Sequence, residues 1–383
     1  MNRKKMIDTI ILTIPREQIR MLSPDGRYIP AWDLHSKTSN YTKYVKNPTP
    51  YDRKNEIYRP RLTGVKRRVR GNFYSSFLKI EFSVPKLIFG NNLNELGESD
   101  FSKVLSTLKE RLIEVGVLIS DKDIRQATVS TVHFGKNIEL RDGYTASFVT
   151  KELSKININK KFDLSKTSFR NDGQSLQGYT MAHSVVFYDK VSDLGKSKKR
   201  AIDKDQVPNQ LSLFSDIKAN TPSLEILRFE VRLCQKQKLK GVLRKIGFEK
   251  DPTFEYIFKA ELWKKVLHFY WDQMIRNENL FLFSNKTEPK ELLQDLLKKY
   301  PNSKAKEYIF LVGLDALCKS KGGIRDLRSI LETKVSQRSW YRINDGIKRL
   351  NKATSKRKVS DWVKQVEDSL NEFKPYRIKP KPP

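Results

Sequence analysis

Leu227-Arg228-Phe229-Glu230-Val231-Arg232-Leu233 alternates apolar and charged residues without a break. Strand side chains point alternately to opposite faces, so Leu227, Phe229, Val231 and Leu233 predict a buried face and Arg228, Glu230 and Arg232 a polar one. Such a strand belongs to an antiparallel sheet with one face on a core. Upstream stretches read the same way. Leu78, Ile80, Phe82 and Val84 alternate with Lys79, Glu81 and Ser83, while Val132 and Phe134 oppose Thr131 and His133. Leu176 to Thr180 and Ser184 to Lys190 form a hairpin-like pair, with Tyr188 and Lys190 on one face. Met6 to Ile14 is a further strand, and the strand through His133 is expected over about Ile124 to Phe134.

Helical spacing governs the rest. Ser99 or Asp100 is expected to cap a helix carrying Phe101, Val104, Leu105, Leu108, Leu112 and Val115, ended by Gly116; Asp142 is expected to cap another through Leu153. Beyond residue 235 the chain turns helical: one aromatic-rich helix from Thr253 to Asn277, then segments near 288–299, 304–319, 324–333 and 336–350. Strands followed by helices predict an α+β fold. The expected domains are an antiparallel-sheet domain over 1–235, with helices on one face, and a mostly helical domain over 236–383. Residues 192–222 are expected to be a flexible polar loop and Lys374 to Pro383 a loose tail.

Composition narrows the function. In 383 residues, 75 Lys+Arg against 44 Asp+Glu leave a net charge of +31. That surplus repels itself and is best offset by a polyanion, so nucleic acid is the default partner. Two cysteines cannot build a disulfide framework or thiolate zinc site, and the four histidines form no HxxxH or HExxH. Walker A and Rossmann glycine patterns are absent, and Ile10-Ile11-Leu12 is too short to cross a bilayer. Between residues 40 and 70, Tyr41, Tyr44, Tyr51 and Tyr58 interleave with cations that include Lys66, Arg67, Arg68 and Arg70. This pattern suits single-stranded DNA, whose bases stack and whose phosphates pair with cations; it also suits a solvated basic loop.

If the strands are neighbours, their polar faces merge into a patch with the parts for phosphoryl transfer through tyrosine. A phenol of pKa near ~10 is a poor nucleophile at neutral pH. Lys190 could stabilise the phenolate or phosphate, and a divalent ion held by Glu230, His133 and Glu81 could polarise the phosphorus. Oxygen and imidazole ligands favour Mg²⁺ or Mn²⁺. Lys79, Lys86, Arg228 and Arg232 on these strands are expected to contact DNA. Taken singly, Tyr188 could be a packing residue, Arg228/Glu230/Arg232 an ion-pair ladder and His133 a structural histidine.

Ser184-Val185-Val186-Phe187-Tyr188-Asp189-Lys190, Leu227-Arg228-Phe229-Glu230-Val231-Arg232 and Ile80-Glu81-Phe82-Ser83-Val84-Pro85-Lys86 resemble motifs of the gene II replication initiators of filamentous phages and related plasmid proteins. Their order and rough spacing match, as does Val129 to Phe134, and weaker similarity reaches Arg338-Ser339-Trp340-Tyr341-Arg342. The resemblance implies rolling-circle initiation in a bacterial cytoplasm: nicking of an origin strand, a 5′-phosphotyrosine at Tyr188 with Lys190 as companion, and a 3′-OH primer. Glu230 matches the family's carboxylate, whereas His133 departs from an aspartate often found there.

Gln210-Leu211-Ser212-Leu213-Phe214 looks like the pentapeptide with which bacterial proteins bind the DNA polymerase sliding clamp, Leu213 and Phe214 entering an apolar groove. Leu211, Leu213 and Phe214 could instead pack on their own sheet. Gly322 to Leu350 reads as a helix-turn-helix, with Gln337 and Arg338 reaching bases and Arg342 and Lys348 phosphates. The expected partners are double- and single-stranded origin DNA, the clamp and a host helicase, with no membrane. A conjugative relaxase or single-strand transposase would use the same chemistry, and a non-catalytic DNA-binding regulator would explain the charge alone.

Overall fold

The computed structural model describes residues 7–21, 41–49, 51–52, 55, 57–70, 73–156, 167–170, 175–194, 208–221, 223–277, 279–284, 288–331, 334–354 and 357–378. The fold is α+β. Strands β1 (Ile7–Pro15), β2 (Ile19–Met21), β3 (Tyr41–Lys46), β4 (Arg61–Arg70), β5 (Phe73–Ser83), β6 (Val117–Ile119), β7 (Thr128–Leu140), β8 (Thr167–Arg170), β9 (Ser175–Tyr179), β10 (His183–Asp189) and β11 (Glu225–Leu233) form two sheets. The larger has the order β3-β4-β5-β1-β7-β11-β10-β9-β8; β2 pairs with β6. Every strand pairing is antiparallel.

Helices α1 (Val84–Phe89), α2 (Phe101–Ile113), α3 (Asp121–Gln126), α4 (Ala146–Leu153), α5 (Lys190–Leu194), α6 (Pro208–Asn220), α7 (Lys236–Lys245), α8 (Phe254–Ile257), α9 (Ala260–Trp271), α10 (Pro289–Lys299), α11 (Ala305–Lys319), α12 (Gly323–Leu331), α13 (Gln337–Ala353) and α14 (Asp361–Glu372) complete the chain. Leu227, Phe229, Val231 and Leu233 of β11 face the core as their alternation requires. Phe229 stacks on Phe187 at 4.7 Å between ring centres, and both rings meet Trp271 of α9. Burying such aromatic surface is the main stabilising contribution; truncating Phe229 to alanine would cost ~3–5 kcal/mol.

Several local expectations are corrected. Ile124 lies in helix α3, because Ser120 accepts a hydrogen bond from the Asp123 amide and Asp121 and Asp123 favour the positive end of the helix dipole. The following strand therefore starts at Thr128 and runs on to Leu140. Thr145, whose hydroxyl accepts from the Phe148 amide, caps α4 in place of Asp142, which sits in a left-handed turn at φ 59°. The Thr253–Asn277 helix breaks at Phe258 and Lys259, where the freed Ile257 carbonyl accepts from the Trp263 indole.

Packing continues across residue 235 among the described residues. One buried cluster runs from Ile7 to Phe373, and α7, α9 and α14 pack on β7. Within the expected flexible loop, 192–194, the end of α5, and 208–220 are helical, while Lys196 to Arg200 lie outside the described residues. The tail is docked as far as Ile378: the Glu95 amide donates to Tyr376 O, and the Ile378 amide to Asn94 Oδ1 at 2.9 Å. Among the described residues no helix is long and apolar enough to cross a membrane.

Candidate active site

Strand register assembles the polar face. Tyr188 lies opposite Arg228, Val186 opposite Glu230 and Ser184 opposite Arg232, while β7 places Asn137, Gly135 and His133 beside those three β11 residues. On the other side of β7, Ile11 of β1 pairs with Thr131 and also with Glu81 of β5. A register shift in β1 between Ile7 and Ile10 accompanies the placement of Asp8 against Arg228.

Arg228 is the hub. Its Nη2 lies 3.0 Å from Asp8 Oδ2, Nη1 donates to Asn137 Oδ1 at 3.0 Å and lies 3.5 Å from Glu95 Oε1, and Nε is 3.9 Å from Glu230 Oε2. Gly135 makes room for it, since a Cβ there would overlap the guanidinium. Arg228 is 2% exposed, so it is an internal strut and not the DNA contact expected from its alternation. Glu95 is shared further: Lys136 Nζ donates to it at 3.1 Å and the Asn137 amide at 2.6 Å. The partners make this buried charge cluster tolerable; unpaired, each ion would cost several kcal/mol.

Glu230 connects the hub to the open side. Arg232 Nε donates to its Oε1 at 2.8 Å, His133 Nδ1 lies 3.4 Å from the same oxygen, and the Tyr188 hydroxyl donates to Oε2 at 3.3 Å. Burial alone would raise the Glu230 pKa, but Arg232, His133 and Arg228 bring it well below the ordinary carboxylate value. Burial opposes protonation of His133, yet side-chain hydrogen bonds with Cys234 and Glu230 and the latter's charge raise its pKa above 6.5. Tyr188 is pushed well above 10 by burial and by the charges of Glu230 and Asp193, with Arg228 opposing. It is therefore a neutral phenol at neutral pH.

Lys190 opens α5 with its side chain fully buried. Its Nζ is 3.8 Å from Asp193 Oδ2 and 5.5 Å from the Tyr188 ring centre, with no hydrogen-bond partner among the described residues. Burial lowers its pKa to about 8, against the pull of Asp193. Tyr188, Glu230, His133, Arg232, Asp8, Asp193, Glu81, Arg61 and the buried Lys86 line one cavity of about 300 Å³. A mixed carboxylate and cation lining of that size can accept a phosphodiester and orient a phenol toward it.

The expected metal triad does not converge. Glu81 faces Arg61, with Nη1 3.6 Å from Oε2, whereas His133 and Glu230 are bound to each other. Among the described residues no group of three His, Cys, Asp or Glu side chains is arranged to hold a metal ion. Of the carboxylates around Tyr188, Glu230 and Asp8 carry arginine partners, and Asp193 lies beside Lys190.

The remaining predicted residues lie elsewhere. Lys66 is half-buried and Arg67 and Arg68 are exposed on β4; Lys79 is half-buried on β5, its Nζ 5.9 Å from the Phe77 ring centre. Gln337, Arg338 and Arg342 are exposed on α13, Lys348 is half-buried, and Ser336 caps the helix by accepting from the Ser339 amide. Helices α12 and α13 both pack on α11, and Arg328 lies 5.2 Å over the Trp340 ring. The clamp-like segment is helical, not a loop. Leu213 and Phe214 are half-buried against Leu93, Val191, Leu194, Ile217 and Ile226, which gives them an internal role. The side chains of Arg70, Gln210 and Leu211 lie outside the described residues.

Sequence reasoning missed Asp8, Glu95, Asn137 and Asp193. Asp8 carried a signal, a lone carboxylate inside an apolar strand; Glu95, in a polar connection, carried none. No family model, curated protein or solved structure matches the chain.

Proposed function

We propose that the chain is a rolling-circle replication initiator that nicks one strand of origin DNA through Tyr188. The observation carrying this reading is the Tyr188 hydroxyl donating to buried Glu230 beside a cation-lined cavity. The chain's net charge of +31 suits a DNA substrate. The phenol oxygen attacks the scissile phosphorus, the bond from phosphorus to the 3′-oxygen breaks, and the 5′-phosphate remains on tyrosine. The phenol proton ends on the departing 3′-oxygen, so protons and charge balance, while Glu230 orients the hydroxyl. Reversal of the same step rejoins the ends.

Arg232, Arg61 and Lys86 line the cavity and supply positive charge toward the phosphate in its transition state. Lys190, half neutral near pH 8, sits beside the tyrosine ring. The Mg²⁺ or Mn²⁺ expected from the sequence does not fit the side chains as arranged, and no step is routed through it. Gln337, Arg338 and Arg342 provide an exposed duplex-binding face. Clamp recruitment through Gln210 to Phe214 forms no part of the proposal, since Leu213 and Phe214 are packed internally.

A relaxase or transposase would share this chemistry and differ in substrate. A non-catalytic regulator is favoured by the ion pairing of Glu230 and Asp8. Incubation with supercoiled origin plasmid, in Mn²⁺ and in chelator, separates the classes: an initiator yields relaxed circles with protein attached to the 5′ end. Tyr188→Phe should abolish both products and leave DNA affinity within about twofold. Nicking by that variant would overturn the assignment.

A further inference from the structure

Strands β4 and β5 pair as a hairpin whose last matched residues are Arg70 and Phe73, with a register shift between Arg68 and Arg70. Apolar groups are exposed at this end. Phe73 is 80% exposed and Val69 65%, far from the usual state of a phenylalanine. Charge surrounds them: Arg67 and Arg68 are exposed, and Lys66 Nζ lies 5.0 Å from the centre of the Tyr74 ring.

Alternation along β5 puts Phe73, Phe77, Lys79 and Glu81 on one face, and Glu81 lines the Tyr188 cavity. Arg67 lies 5.5 Å from the centre of the Phe77 ring on that same face. A track of aromatic rings and cations thus leads from the exposed tip to the cavity. The eight steps from Phe73 to Glu81 span roughly 26 Å at ~3.3 Å per residue, or about eight stacked base steps.

We propose that the β4–β5 hairpin is a strand-separating pin: Phe73 and Val69 wedge into the opening duplex, while Arg67, Phe77 and Lys79 guide the released strand toward Tyr188. The inference rests on the nicking reading for its destination and on the hairpin for its action. Cations hold phosphates and an apolar wedge replaces the base stacking it breaks, as in proteins that unstack a base step with an inserted side chain. A protein partner for the tip is disfavoured by the cations flanking it.

The test is a synthetic forked duplex carrying 2-aminopurine at its first paired position, titrated with the full chain. Wild type should raise the fluorescence several-fold. Phe73→Ala with Val69→Ala should bind within about threefold of wild type, since its cations remain, but lose most of that rise. Both positions are exposed, so the double variant should melt within a few degrees of wild type. Unchanged unstacking in the double variant, or no unstacking by wild type, overturns the pin. Tyr188→Phe should unstack normally. Wild type that unstacks the fork but never nicks origin DNA would sustain the pin and defeat the nicking reading.

Discussion

Strand β5 joins two regions that use charge in opposite ways. At its Glu81 end the sheet is dense with ions that hold one another: Arg228 reaches Asp8, Glu95 and Glu230, and Arg232 holds Glu230. At its Phe73 end, Lys66 and Arg67 lie over the aromatic rings of Tyr74 and Phe77. Interior charges must be satisfied within the protein because their desolvation cannot otherwise be offset, and their pKa values move as a result. Charges at the hairpin tip remain hydrated and can exchange counterions for phosphates. Substitutions should therefore affect stability at one end and association at the other.

The strongest way to break this contrast is Arg228→Ala. It strips Asp8 of its arginine and leaves carboxylates crowded in the interior, which should cost ~3–5 kcal/mol in urea unfolding. Gly135→Ala should act in the same direction, because the added methyl occupies the guanidinium's place. A loss below ~1 kcal/mol for Arg228→Ala would mean that the cluster relaxes freely and is not a rigid interior.

Lys190 sharpens the contrast by its sign. Its pKa falls from 10.5 to about 8, so below pH 8 the folded chain bears a buried ammonium at a cost of about 3 kcal/mol. Between pH 8 and 10.5 the unfolded chain holds a proton that the folded chain has lost, so stability from this group rises with pH. Lys190→Met should accordingly be more stable than wild type at pH 7, by up to ~3 kcal/mol, with the gap closing toward pH 10.5. Unfolding midpoints measured at both pH values check this. A gap that persists at pH 10.5 would assign the gain to packing and not to charge. If the proposed nicking reading holds, the variant should also lose nicking.

The polar face was legible because period-two alternation survives wherever one side is buried; Tyr188, Glu230, His133 and Arg232 all came from that rule. Alternation gives the face of a side chain but not its partner. Glu81 and Arg228 were thus read as metal ligand and DNA contact, although Arg61 takes the first and the interior takes the second. Glu95 and the docked tail were invisible for another reason: their bonds join segments far apart in sequence, as between Tyr376 and Glu95. The Gln210–Phe214 stretch shows the limit of short motifs, since its apolar residues serve a helix equally well.

The smallest effect on stability belongs to the hairpin, and it separates the sheet's two faces. Lys66→Gln and Arg67→Gln should each alter unfolding by less than ~0.5 kcal/mol. Their signature is the salt dependence of DNA binding, where each lost phosphate contact lowers the slope of log K against log salt by ~0.7 on a single strand and ~0.9 on duplex. Lys66 lies with Tyr74 on one face, Arg67 with Phe77 on the face that leads to Tyr188. If a released strand follows only the path to the tyrosine, Arg67→Gln lowers the single-strand slope and Lys66→Gln leaves it unchanged. Equal losses from both would mean that DNA wraps the hairpin, and the aromatic track beside Glu81 would no longer define the route.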